Sequence, residues 1–108
     1  MTLEQLFPES VLKALPSTDE SYNIEDPMIV AKYFYPDFNW TWYIAGYDPD
    51  RKIAYGLVNG FELEGGDIDM NELIEGHGKL GMALERDLHF KPMKWSEVYN
   101  KLSKGEHV

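Results

Sequence analysis

Cysteine is absent from the 108 residues, which removes a disulfide framework, a thiolate metal site and a cysteine nucleophile together. Long hydrophobic runs are missing too: no apolar stretch approaches the ~18 residues that span a bilayer. The opening MTLEQLFPES has neither the basic start nor the continuous apolar middle of a secretory leader. A soluble, cytoplasmic chain is the expectation. Cations are scarce, with ten Lys and Arg against 19 Asp and Glu, for a net charge of −9. That balance opposes direct nucleic-acid binding, which needs clustered Lys and Arg to neutralise phosphates, and it favours a basic protein partner. No G-x-S-x-G and no phosphate-cradling glycine loop occurs. The chain therefore reads as a non-enzyme without a cofactor.

What is present is an ordinary apolar share of 44% with a high aromatic share of 14%, enough for one core in a single domain spanning residues 1–108. The first stretch, MTLEQLFPESVLKALP, has helical spacing at Leu3, Leu6, Phe7, Val11, Leu12 and Leu15. Thr2 and Gln5 stand at capping-box spacing, Pro8 kinks the helix or opens its second half, and Pro16 ends it. Ser17 to Pro27 reads as a surface connection. Three runs rich in β-branched and aromatic residues follow as strands: MIVAKYFY, WTWYIAGY and KIAYGLVNGFELE. The tight reversals PDFN and DPDR make them antiparallel neighbours, and Gly65 with Gly66 permits a bend or bulge. A final strand is expected over Leu84 to Phe90, and a helix through Trp95, Val98, Tyr99 and Leu102. The fold class is α+β: an antiparallel meander of about four to five strands with an N-terminal and a C-terminal helix packed on it.

Between Gly60 and Gly78 lie six carboxylates and no Lys or Arg. Asp67, Asp69 and Asn71 begin like a calcium loop, but Glu72 stands where its turn needs Gly, and Gly78 where it needs a bidentate Glu. Asp69 as N-cap with Glu72 as its capping-box partner, and Ile68 with Leu73 as a hydrophobic staple, account for the same letters as a helix start. Glu62, Glu64, Asp67 and Glu75 are left over. With Asp48 and Asp50, and with Asp19, Glu20, Glu25 and Asp26 as further contributors, they form a candidate face for a basic partner.

Nine aromatics fall between Tyr33 and Tyr55. Alternation sets Trp40, Trp42 and Ile44 on one side and Thr41, Tyr43 and Ala45 on the other. Core or protein interface suits them better than a base-stacking platform, since only Lys32, Arg51 and Lys52 are nearby. In LERDLHF, alternation puts Leu84, Arg86, Leu88 and Phe90 opposite Glu85, Asp87 and His89. A guanidinium in apolar company needs a carboxylate or carbonyls, so Arg86 reads as a buried ion pair or, alternatively, as an anion site. Glu85, Asp87 and His89 form an O,O,N set of the kind that holds a divalent metal. Arg86 with Glu85, Asp87 and His89 is thus the alternative ligand site, and no metal is assigned.

DPMIVAKYFYPDFNWTWYIAGYD, YGLVNGFELEGG and LGMALERDLHFKP together resemble the small domains of plasmids, phages and other mobile elements grouped as domain of unknown function family 2958. The resemblance covers about Leu15 to Pro92 and is most specific at Trp40-Thr41-Trp42-Tyr43 and Glu85-Arg86-Asp87. It implies a mobile-element setting and carries no residue-level chemistry. By analogy with other small acidic proteins of such elements, the expected role is a protein-binding module that inhibits a basic, nucleic-acid-handling host defence protein, of anti-CRISPR or anti-restriction type. A nucleic-acid-binding nuclease is one such partner. Small-molecule or divalent-metal binding is the alternative, and a homo-oligomeric structural part the third.

Overall fold

A computed structural model describes all of residues 1–108. The first helical stretch is two helices, α1 (Leu3–Leu6) and α2 (Glu9–Ala14). Thr2 and Gln5 form the expected reciprocal capping box. The break lies at Phe7, because the ring of a following proline pushes a residue out of helical geometry, and Pro8 then caps α2. A third helix, α3 (Thr18–Ser21), stands where a plain connection was expected. Ser17 and Glu20 build its capping box, and the Thr18 hydroxyl donates to the Ile53 carbonyl at 2.6 Å.

The first strand run divides into β1 (Met28–Ile29) and β2 (Ala31–Phe34); β3 is Thr41–Asp48 and β4 Ile53–Asn59. The third run is not one strand. It reverses over Gly60 to Glu62 and returns as β5 (Leu63–Asp69), which runs unbroken through Gly65 and Gly66. The bulge sits instead on β3, between Ile44 and Gly46. There Gly46 lies against the Ser21 side chain, and Gly56 against the Tyr43 carbonyl. α4 (Met70–Glu75) follows, then β6 (Glu85–Arg86), β7 (Met93–Lys94) and α5 (Trp95–Ser103). β6 is shorter than the expected Leu84 to Phe90, because Asp87 Oδ1 accepts from the His89 amide at 2.8 Å and turns the chain away.

The main sheet has the order β5-β4-β3-β2-β6, antiparallel throughout, and β1 pairs with β7 separately. Strands β2 to β5 are the meander; α4 and the loop after it then carry the chain over the sheet to the far edge. The fold is α+β with helices from both termini against a five-stranded antiparallel sheet. No helix is long and apolar enough to cross a membrane.

Both faces of the sheet are covered. On the first, Tyr33, Trp42, Ile44, Ala54 and Ile68 meet Leu6, Phe7, Val11 and Met70. Phe7 stacks on Tyr47 at 4.1 Å, and the Tyr33 hydroxyl donates to the Leu6 carbonyl. On the second, Tyr43, Ala45 and Leu57 pack on Ile29 and on Val98 of α5. Removing a Leu- or Val-sized side chain from water contributes about 1.5–3 kcal/mol, so α5, with few apolar residues of its own, is held chiefly by Val98, Trp95 and Leu102. Tyr43 is 1% exposed, which excludes it as a base-stacking platform.

Candidate functional site

The carboxylates of the lysine- and arginine-free stretch collect along a border of the sheet. β5 has a neighbour on one side only, and alternation along it sends Glu62 and Glu64 toward the first face, Asp67 and Asp69 toward the second. Asp67 accepts a hydrogen bond from the Tyr22 hydroxyl, which holds the phenol proton and pushes Tyr22 up to about 12. Asp69 caps α4, with Oδ1 accepting from Asn71 at 2.9 Å and Glu72 at 3.4 Å. The Glu72 side chain does not close the reciprocal half of the expected box; Glu72 and Glu75 stay exposed on α4. None of Glu62, Glu64, Asp67, Asp69, Glu72 and Glu75 belongs to any of the five ion pairs of the molecule.

At the β4–β5 turn this border ends in Phe61, which is 95% exposed. Its ring stands edge-on to Trp40, centroids 5.1 Å apart. Gly60 lies directly beneath Trp40, with no room for a Cβ. Trp40, Val58, Gly60, Phe61, Glu62 and Glu64 line a shallow groove of about 220 Å³. An apolar ring flanked by two free carboxylates can seat an aliphatic or guanidinium side chain between hydrophobic and charged contacts.

The six residues expected to form one partner face are not brought onto one. Glu62, Glu64 and Asp67 share the border but not a side of it, and Glu75 lies one helix further on. Asp48 is neutralised in its turn by Arg51, Nε to Oδ2 2.6 Å. That bond holds the Asp48 carboxyl below its usual range and raises the Arg51 guanidinium. Asp19 joins the same arginine at 3.4 Å. Asp50 is exposed at the tip of that turn, at the opposite end of β4 from Phe61.

The alternative set is also divided. Arg86 pairs with Tyr33 and faces the first side, Glu85 pairs with Phe34 and faces the second. Arg86 has no ion pair; Nε donates to the Gln5 carbonyl at 3.0 Å, and the guanidinium is half-buried beside α1. A two-residue edge strand leaves it a route to water, so a carbonyl suffices where a carboxylate was expected. No group of three His, Asp or Glu side chains converges as a metal would require, and Glu85, Asp87 and His89 therefore do not form the O,O,N set.

Asp87 serves another residue, Lys32, which is 5% exposed. Lys32 Nζ lies 3.7 Å from Asp87 Oδ2, donates to the Val108 main-chain oxygen at 2.6 Å and sits 5.9 Å from the centre of the Tyr43 ring. Alternation in MIVAKYFY places Lys32 on the side of Tyr43, its partner across the β2–β3 ladder, and is the one sequence signal for its burial. Beside it a cleft of about 300 Å³ is lined by Phe34, Tyr35, Phe38, Asn39, Thr41 and His107, among others.

No curated protein and no solved structure matches this chain. A family model does, over residues 6–107, wider than the Leu15 to Pro92 that the resemblance suggested and taking in α2 and α5. The sheet, helices α2 to α5 and the acidic border all fall inside that span, and the chain belongs to the family described as Protein of unknown function (DUF2958).

Proposed function

We propose that this chain is a non-enzymatic protein-binding module that engages a basic partner through the β5 border and its Phe61 tip. One observation carries the reading. Six carboxylates without an ion pair among them follow one another along a sheet edge and the next helix, and the run ends in an almost fully exposed aromatic ring. Ring and charge together are the ingredients of a binding hot spot with a polar rim. Charge complementarity then sets partner choice and association rate.

The partner class we infer is a nucleic-acid-handling protein of a host defence system, in the manner of anti-restriction and anti-CRISPR inhibitors, with the module acting inside the cell for a mobile element. Such partners carry grooves lined by Lys and Arg for the phosphate backbone. Glu62 and Glu64 stand two residues apart, about 6.6–6.8 Å, against one charge per ~3.4 Å along a nucleic-acid strand. The border offers about half that density, and this favours competition at the rim of a groove over full replacement of a strand.

The test is capture from lysate of a host that carries such systems. The wild-type chain is expected to retain a basic protein whose recovery falls with added salt. Glu62→Lys combined with Glu64→Lys, or Phe61→Ala alone, is expected to lose it. A partner retained equally by all three forms removes the border from the account.

A further inference from the structure

Resting on the reading above, we infer how the border binds: it accepts an extended basic segment of the partner as a sixth strand, hydrogen-bonded to the free edge of β5. Two main-chain bonds fix which groups are free. The Gly60 amide donates to the Glu62 carbonyl, and the Met70 amide to the Lys52 carbonyl. Both belong to the register that pairs Val58 with Glu64 and Gly56 with Gly66. In an antiparallel ladder, hydrogen-bonded pairs alternate with pairs whose N–H and C=O groups turn away. Glu64, Gly66 and Ile68 therefore bond to β4, while Leu63, Gly65 and Asp67 point their amides and carbonyls outward. No hydrogen bond within the chain uses those outward groups.

Natural sheets blunt such edges with short strands, proline, charged side chains or a bulge. β5 has charge alone, all of one sign at Glu64, Asp67 and Asp69, which repels another acidic edge and admits a basic one; it runs for seven residues without proline or bulge, with two adjacent glycines at its middle. Gly65 is exposed at the edge, and Trp95, stacked on Tyr55 at 5.1 Å, lies over it on the second face. Gly66 opens to empty space on the first face. An incoming strand thus meets a bare backbone with an aromatic shelf on one side.

The chemistry of the occupant follows from the side chains in register. A residue opposite Gly65 lies beside Trp95 and is apolar. Its neighbours face Glu64 on the first side and Asp67 on the second, so they are Lys or Arg. A second copy of this chain does not fit: β5 against β5 centred on Gly65 sets each Glu64 opposite Gly66 and each Asp67 opposite Leu63, so four carboxylates gather within two strand positions of the centre with no cation to offset them.

The probe is the peptide acetyl-Thr-Lys-Arg-Val-Arg-Lys-Thr-amide, symmetric in sequence, added to the full chain at low salt. It is expected to bind, to slow hydrogen exchange of the Gly65 and Asp67 amides, and to lose affinity against Glu64→Lys. The same peptide N-methylated at its valine and both lysines keeps every charge but lacks the N–H groups turned toward β5. It is expected to bind at least about tenfold more weakly. Equal binding of the two peptides would overturn strand addition and leave the charged border standing. Binding of neither, or dimerisation of the chain through β5, would also overturn it. The border reading fails separately, by equal capture of a partner with Glu62 and Glu64 reversed.

Discussion

A methyl group added at Gly56 would run into the main-chain carbonyl oxygen of Tyr43, which the β3–β4 pairing holds in place. Gly56→Ala is therefore expected to destabilise the fold by about 1–3 kcal/mol, the range for forced overpacking. Gly66→Ala, where a Cβ meets nothing, should stay within about 0.5 kcal/mol; urea unfolding compares the two, and equal losses would contradict the register. Tyrosines give a second residue-scale prediction. Tyr22 is raised by its hydrogen bond to Asp67, and Tyr33, Tyr35, Tyr43 and Tyr47 are raised by burial, all from an ordinary value of 10.0. Because the folded values exceed the unfolded ones, the stability they contribute is complete below pH 10 and falls as pH rises through the raised values. The absorbance of these five phenolates should appear together with loss of helix and sheet signal. Ionisation of all five near pH 10 with the fold intact would contradict this. At this scale, capping by Thr2 and by Asp69 was legible because it acts within a few residues. Lys32 and Arg86 were not, since each is defined by partners far along the chain, at Asp87 and Gln5.

Local signals explain most of what was legible among the elements, and two more lie in the sequence at α3 and at the β4–β5 reversal. Ser17 and Glu20 have the same spacing as Thr2 and Gln5, and they open α3; the surrounding polar residues hid that its buried members are Thr18 and Ser21. Gly60 stands within KIAYGLVNGFELE, where the Trp40 ring leaves no room for a Cβ, and the reversal over Gly60 to Glu62 divides what read as one strand into β4 and β5. The bulge could not be placed from composition, since Gly65 and Gly66 are as permissive as Gly46 and only the approach of Ser21 selects the last. Ser17→Ala removes the acceptor for the Glu20 amide and is expected to cost about 1 kcal/mol. Because α3 packs against β3 and β4, the loss should appear as a lower midpoint of cooperative unfolding rather than fraying of α3 alone.

For the molecule as a whole, the meander and its terminal helices followed from strand runs joined by PDFN and DPDR, which leave no room for a crossover. That β5 would be a border did not follow. It depends on α4 and the loop after it carrying the chain across the first face to β6, and nothing local to LEGGDID encodes that. The same fact turns the acids from an expected face into an edge: alternation divides Glu64 from Asp67, yet both remain beside the unpaired backbone. Arg51 meanwhile withdraws Asp48 and Asp19 from the set. The most direct measurement is hydrogen exchange of this chain free and bound to its captured partner. Strand addition at β5 requires protection concentrated in Gly60 to Asp69, with the Gly65 and Asp67 amides slowed most. Protection around Arg86 and α1, with the β5 amides unchanged, would contradict it.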